Sequence, residues 1–139
     1  MIDRWELENG SVKSQISQIY ALTKADIQAD PTIVEVLRRN LKSSNEELLE
    51  MSIMRLGVRA KDVFSVEPIM ALLSTEQRYL PRAAAISALG SIARHLLEQD
   101  EPMAREIARK IRSLPLSAEE CRQVKEEFCD AYQSIANDL

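Results

Sequence analysis

The sequence PRAAAISALGSIA at residues 81–93 decides the fold of this chain. Proline is tolerated in the first turn of a helix, and alanine has the highest helix propensity of all residues. Large apolar residues continue at helical spacing as far as Leu96. The alanines and Gly90 have little or no side chain, so a neighbouring helix is able to approach closely. The pattern predicts one long, tightly packed helix from about Leu80 to Leu96.

On both sides of this stretch, apolar residues recur at helical spacing, and helix-start signals separate one run from the next. The signals are N-cap residues, first-turn prolines and capping boxes. They occur at Ser11, Asp30-Pro31, Ser44 with Glu47, Asp62, Asp100 with Pro102, and Ser117 with Glu120. Pro68 predicts either a kink or a later start in the helix after Asp62. We predict an all-α protein of about seven helices.

The middle of the chain contains two related segments. Residues 34–41 resemble residues 66–73, which lie 32 positions later, and residues 53–60 resemble residues 86–93, which lie 33 positions later. A one-residue change in the turn within a repeat accounts for the difference between the two offsets. Residues 133–136 form a weaker third copy. Offsets of this size are typical of helical-hairpin repeats.

The stretch at residues 81–93 resembles the second helix of a HEAT or HEAT-like repeat, in which a Pro-Arg pair opens the helix and an Ala-rich run ends in Leu-Gly. The resemblance implies a short right-handed α-solenoid or bundle of helical hairpins. It divides the single domain of residues 1–139 into an N-terminal cap helix (1–30), two repeats (31–97) and a divergent third repeat or cap (98–139). The first repeat departs from the pattern, because Leu48-Leu49 replaces the Pro-Arg pair.

In HEAT-like proteins the second helices line a concave side that commonly binds partners. The resemblance therefore implies a partner-binding surface on or near this side. The predicted partner-binding residues are Met54, Arg55, Val58, Arg59, Arg82 and Arg94, with Lys61, Ser87 and Ser91 on the same side. Tyr79, in the turn before the long helix, is predicted as a further contact residue, since tyrosine is enriched at binding hot spots. The alternative interpretation of Tyr79 is a residue that packs within the turn.

Charge is unevenly distributed along the chain, whose net charge is −4. Residues 38–97 carry nine basic and six acidic side chains, whereas both flanking segments are acidic overall. No acidic residue lies between Glu76 and Glu98. This basic middle favours a protein partner with an acidic surface. The alternative is that the distribution reflects only which faces are solvated.

Nothing in the sequence indicates catalysis, a cofactor or a metal. The single histidine, His95, has no serine or cysteine placed as a nucleophile and is expected to face solvent near a helix C-terminus. Two cysteines and one histidine do not match zinc-ligand spacing. Glutamate pairs such as Glu46-Glu47, Glu119-Glu120 and Glu126-Glu127 are expected to be solvated. We predict a non-enzymatic protein without a cofactor or metal.

These observations favour a protein–protein interaction module. One concrete version is an immunity or antitoxin protein that binds and neutralises a toxin domain, since such proteins are often small, acidic and helical. HEAT-like nucleic-acid-binding proteins and HEAT-like bilin lyases are the alternatives. The overall acidity argues against nucleic acid, because nucleic-acid-binding domains are usually basic. The scarcity of aromatic residues argues against pigment binding.

The sequence also predicts a cytoplasmic protein with no membrane contact. No segment approaches the roughly 18 apolar residues of a membrane span, and the N-terminus has no apolar segment typical of a signal peptide. Cys121 and Cys129 lie eight residues apart on one predicted helix. That spacing is about 12 Å along the axis, which is too far for a disulfide. Unpaired thiols are typical of a reducing compartment.

Overall fold

The computed structural model describes residues 2–129, and this part of the chain contains nine α-helices and no strand. The helices are α1 (Arg4–Asn9), α2 (Val12–Ala21), α3 (Lys24–Ala29), α4 (Pro31–Arg39), α5 (Glu46–Met54), α6 (Val66–Thr75), α7 (Tyr79–Leu96), α8 (Glu101–Arg112) and α9 (Ala118–Cys129). Short 3-10 turns occur at Asn40–Lys42 and Val63–Ser65, and α5 continues as a π-helix over Arg55–Arg59. The predicted all-α class is confirmed.

The long helix predicted from residues 81–93 is α7, and it lies at the centre of the fold. It contacts α5 with its π-helical continuation, α6, α8 and α9. Eleven of its 18 residues are buried, among them Ala85, Ala88 and Gly90. A helix that is buried around most of its circumference needs small residues wherever a neighbour comes close. The Ala-rich composition therefore explains how α7 accommodates four neighbouring helices.

The helices form pairs that follow one another along the chain. α1 packs against α2, α4 against α5, α6 against α7, and α8 against α9. The second helices of these pairs are neighbours as well, because α2 contacts α5, α5 contacts α7 and α7 contacts α9. Among the first helices, α1 contacts α4 and α6 contacts α8. The buried apolar side chains of all these elements form one continuous cluster.

The N-terminal segment contains three short helices where the sequence predicted one, and this accounts for nine helices rather than about seven. The break after α2 is stabilised by a capping box. The N–H of Asp26 donates to Thr23 Oγ1 at 3.1 Å, and the N–H of Thr23 donates to Asp26 Oδ2 at 2.9 Å. Ile19 in α2 and Ile27 in α3 are both buried. Their helical spacing therefore concealed the break between them.

α5 begins one residue later than the predicted capping box requires. Asn45 is the N-cap, and its Oδ1 accepts the N–H of Leu48 at 2.9 Å. The prediction of a capping box between Ser44 and Glu47 is wrong. Asparagine is as good an N-cap as serine, and with Asn45 in that position Glu47 becomes the second residue of the helix instead of the third.

An ion pair stabilises the segment after the π-helix, and Asp62 precedes a 3-10 turn instead of starting an α-helix. The carboxylate of Asp62 accepts two hydrogen bonds from Arg38 of α4, at 2.6 and 2.7 Å, and a third from Ser65. Burial by itself raises the pKa of Asp62, but these hydrogen bonds, the charge of Arg38 and a backbone hydrogen bond from Phe64 together hold the pKa below its usual value. α6 starts at Val66, so Pro68 is its third residue and interrupts no helical hydrogen bond. Pro68 thus marks the later start.

α8 and α9 begin at the predicted signals. Asp100 accepts the N–H of the third residue of α8. The N–H of Glu120 donates to Ser117 Oγ at 3.1 Å, and the N–H of Ser117 donates to Glu120 Oε1 at 3.1 Å, which confirms the second capping box. The weak third repeat copy at residues 133–136 lies outside the described residues.

Ser52 of α5 is expected to tolerate replacement by alanine with unchanged or increased stability. Its side chain is fully buried, and its hydroxyl has no hydrogen-bond partner within residues 2–129. Removing an unsatisfied buried hydroxyl recovers its desolvation cost, and alanine has the higher helix propensity. We expect Ser52→Ala to raise the free energy of unfolding by up to about 1 kcal/mol, measured by urea titration. A loss above that size would mean that the hydroxyl has a partner after all.

Candidate functional site

The residues predicted to bind a partner separate into two regions of the structure. Met54, Val58 and Arg59 recur on one side of α5 and its π-helical continuation, where Val58 and Arg59 are exposed and Met54 is half-buried. Arg94 is an exposed residue in the last turn of α7. Tyr79 lies at the opposite end of α7. The predicted residues therefore do not form one continuous surface.

The guanidinium of Arg82 forms hydrogen bonds with other residues of the fold. Its Nε and Nη2 donate to the two carboxylate oxygens of Glu120 in α9, at 2.7 and 3.0 Å. Its Nη1 donates to the carbonyls of Leu73 and Glu76 at the end of α6, both at 2.8 Å. The Arg82 and Glu120 side chains are only 15% and 14% exposed. Arg82 joins three helices and uses four of its five N–H donors within the fold.

Arg55 has a similar internal role at the end of α2. Its Nε donates to the carbonyl of Ile19 at 3.2 Å, and its Nη2 donates to that of Tyr20 at 3.5 Å. The last carbonyls of a helix have no helical donor, so a cation at this position satisfies them and the helix dipole together. Burial lowers the pKa of Arg55, and the neighbouring Arg59 lowers it further.

A group of cations surrounds the C-terminal ends of the second helices. Lys61 Nζ donates to Ser91 Oγ in α7 at 2.8 Å and to the carbonyl of Val58 at 3.2 Å. Ser91 lies one turn before Arg94, so the Lys61 ammonium sits beside the last turn of α7. Burial lowers the pKa of Lys61, and the charges of Arg94 and Lys24 lower it further. We call Lys24, Arg59, Lys61 and Arg94 the basic edge.

The basic edge contains few compensating acids. Arg94 donates to the backbone carbonyl of Glu127 at 2.5 Å and lies 3.6 Å from its carboxylate. Within the described part of the chain, Lys24 and Arg59 are exposed and make no ion pair. Mutually repelling cations attract an anionic group. Exposed Val58 adds apolar surface beside them.

Lys61 has an unusual backbone conformation for a residue with a side chain. Its φ is 51°, in the left-handed region, and it directly follows the last turn of the π-helix. The N–H of Asp62 donates to the carbonyl of Leu56 at 2.9 Å, which closes the helix end. Glycine is the usual residue at such a position. A lysine there directs its ammonium onto α7, where it meets Ser91.

Tyr79 belongs to a different environment. It is the first residue of α7 and 62% exposed. Together with Glu119, Arg122, Gln123 and Glu126 of α9 it lines a shallow depression of about 220 Å³. Tyr79 is therefore neither packed within a turn nor part of the basic edge.

The sequence prediction missed a groove between α2, α5 and α7. It has a volume of about 420 Å³ and is lined by Tyr20, Glu46, Glu47, Glu50, Met51 and Leu80. From the sequence, Glu46 and Glu47 were interpreted as solvated residues, and Tyr20 was one of the apolar residues at helical spacing. In the structure the two large apolar side chains of the groove are not part of the core, because Tyr20 is 67% and Leu80 48% exposed. Only the packing of three helices reveals that these side chains are neighbours.

The last features to consider are the single histidine, groups of metal-ligand side chains and membrane-spanning helices. His95 is half-buried in the last turn of α7. Between residues 2 and 129, no three histidine, cysteine or carboxylate side chains are grouped as metal ligands would be. No helix in the same range has both the length and the apolar character that a bilayer crossing demands.

The fold and the site thus define an all-helical protein of successive hairpins, with cations collected at the ends of its second helices. Comparisons of the chain with protein-family models, with curated proteins and with solved structures gave no match.

Proposed function

We propose that the hairpins form a short HEAT-like stack of right-handed solenoid type. The succession of second helices, α2 to α5 to α7 to α9, supports this, because solenoid repeats contact their neighbours in sequence order. Two equivalent positions of the repeat, 33 residues apart, support it further. Gly57, in the π-helical continuation of α5, faces Ala88 of α7, and Gly90 of α7 faces Glu127 of α9. Because each glycine lacks a side chain, the second helix of the next hairpin can pack closely against it.

Within this stack, we infer a non-enzymatic protein-interaction module that binds a partner with an acidic surface. The observation that carries the proposal is the basic edge, where the charges of Lys24, Lys61 and Arg94 act on one another in a protein of net charge −4. Cations at a protein–protein interface steer an acidic partner and set the orientation of docking. Val58 and Met54, next to Arg59 on the same side of α5, supply the apolar contact. Arg55 and Arg82 are left to hold helices together.

The proposal includes one concrete version, an immunity or antitoxin protein that neutralises a toxin domain in the cytoplasm. Inhibition by occlusion needs only a rigid, complementary surface, which a helical stack provides without catalytic groups. Cys121 is a free and exposed thiol, which suits a reducing compartment.

Reversing two charges of the basic edge is expected to abolish partner binding. Lys24→Glu with Arg59→Glu changes two exposed side chains without ion pairs within the described residues, so the fold is expected to survive. The control is Lys42→Glu with Arg112→Glu, because both side chains are exposed, Lys42 in the 3-10 turn after α4 and Arg112 at the end of α8. Both doubly substituted proteins carry the same net charge. Capture from the native host with mass spectrometry measures which proteins each retains.

We expect wild-type protein and the control to retain the same acidic partner, and the basic-edge variant to lose at least about 90% of it, a tenfold weakening. Equal retention by both variants would exclude the basic edge as the binding surface. Recovery of nuclease-sensitive nucleic acid instead of protein would favour the nucleic-acid alternative. A chromophore that travels with the chain would favour the bilin-lyase alternative.

A further inference from the structure

The groove between α2, α5 and α7 has two kinds of surface. Tyr20 and Leu80 are exposed at its sides, and Met51, nearly buried, forms part of its floor. Large apolar side chains exposed around one depression are typical of a binding site rather than of scattered surface residues. The remaining lining consists of three glutamates of α5, at positions 46, 47 and 50.

These glutamates lack cationic partners. In the range that the structure describes, neither Glu46, Glu47 nor Glu50 takes part in an ion pair or a side-chain hydrogen bond. Arg78, which lies near Glu46, is engaged by Glu76 and the Ser44 carbonyl. Burial raises the pKa of Glu50, and the charges of Glu46 and Glu47 raise it further. An external cation would therefore relieve an existing repulsion.

We propose that this groove binds a short, positively charged segment of a partner protein that carries one large apolar side chain. The apolar side chain lies between Tyr20 and Leu80 above Met51, and lysine or arginine residues beside it pair with Glu47 and Glu50. The volume of about 420 Å³ accommodates one such side chain together with part of the peptide backbone. Charge complementarity selects a basic segment over an acidic one. This surface is separate from the basic edge, so the proposal does not depend on the one above.

The test begins with a displayed library of random short peptides, selected on the wild-type chain. We expect enriched sequences to combine lysine or arginine with a single leucine, isoleucine, methionine or phenylalanine. Fluorescence anisotropy then measures the affinity of an enriched peptide. Glu47→Gln with Glu50→Gln is expected to weaken binding at least about tenfold, and Tyr20→Ser with Leu80→Ser to weaken it by a similar factor.

The matched controls remove the same chemical groups elsewhere. Glu119→Gln with Glu126→Gln removes two exposed carboxylates of α9, and Phe64→Ser removes an aromatic side chain that is 81% exposed. Both are expected to bind the peptide as wild-type protein does, and so is the Lys24→Glu, Arg59→Glu variant. Only variants that keep the wild-type helical circular dichroism are compared.

Several results would overturn the proposal. These are no enrichment over empty support, enriched peptides without positive charge, and equal weakening by the groove and control variants. Self-association of the wild-type chain that Leu80→Ser abolishes, seen by analytical ultracentrifugation, would assign the groove to a second copy of this chain instead.

Discussion

Replacing Arg82 with methionine is expected to lower the free energy of unfolding by about 3 kcal/mol. Methionine preserves much of the apolar stem but removes every donor of the guanidinium. The Glu120 carboxylate, 14% exposed, then loses both of its hydrogen bonds to Arg82. The carbonyls of Leu73 and Glu76 lose donors at 2.8 Å. Removing one partner of a largely buried ion pair costs more than the pair contributes, because the other charge stays desolvated.

Two further variants separate this role from a general charge effect. Arg82→Lys keeps the charge, but one ammonium does not reproduce the planar fork that serves Glu120 and two carbonyls, so we expect a loss of about 1–2 kcal/mol. Arg109→Met removes an exposed partner of Glu106 at 3.6 Å and is expected to cost about 0.5 kcal/mol or less. Urea titration measures the free energy of unfolding of all three variants. Equal losses for Arg82→Met and Arg109→Met would contradict the internal role of Arg82.

The effect of Arg82→Met is expected to shrink in acid. The hydrogen bonds from Arg82 hold the pKa of Glu120 below its usual range. A carboxyl whose pKa is lower in the folded state stabilises the fold above its unfolded pKa, about 4.3, and loses that contribution as pH falls toward the folded pKa. The difference between wild-type protein and the variant should therefore be largest above about pH 6 and smaller near pH 3. A difference independent of pH would mean that the carboxylate does not share in the interaction.

Gly57→Ala is expected to destabilise the protein by about 2–3 kcal/mol, although alanine is the better helix former by about 1 kcal/mol. A Cβ at position 57 would overlap the Cβ and Cα of Ala88 and come within 3.0 Å of its carbonyl carbon. Two of these atoms are backbone, so no rotamer change relieves the overlap. α5 and α7 would have to separate, which would disturb the centre of the core. The midpoint of thermal unfolding should fall by roughly 8 °C.

A double-mutant cycle tests the cause. Ala88→Gly removes one of the overlapping atoms but leaves the Cα of residue 88 in place. The combination of Gly57→Ala with Ala88→Gly should therefore recover part of the loss and cost less than the sum of the single changes. Gly90→Ala is a milder comparison, because its Cβ would meet chiefly the side chain of Glu127, at 2.9 Å. Additive losses at positions 57 and 88 would show that contact between α5 and α7 is not the cause.

Much of the helical framework was predictable from local signals. The N-caps at Asp30, Asp100 and Ser117, the small residues of α7 and the late start marked by Pro68 all act within a few residues of the helices that they shape. The division of the N-terminal segment into three helices was not predictable, because Ile19 and Ile27 keep helical spacing across the break between α2 and α3. The first residue of α5 was also hard to predict, since Ser44 and Asn45 are both good N-cap residues and only Asn45 caps the helix.

The candidate surfaces were predictable only in part. A count of charges located an excess of cations in the middle of the chain, yet it could not show that Arg55 and Arg82 are occupied by helix ends. Those contacts join residues 6 to 38 positions apart. The groove was missed for the same reason, since Tyr20, Glu47 and Leu80 come from three separate helices.

The sequence by itself determined that the chain is all-helical, where most helices begin, and that the stretch at residues 81–93 packs closely, because propensity, capping and side-chain size act locally. Only the tertiary structure decided which arginines hold the fold together and which are exposed. It also brought together the residues that line the groove between α2, α5 and α7. An arginine side chain reaches carbonyls and carboxylates on several neighbouring helices. Which of them it meets depends on helix packing, and a one-dimensional pattern does not specify that packing.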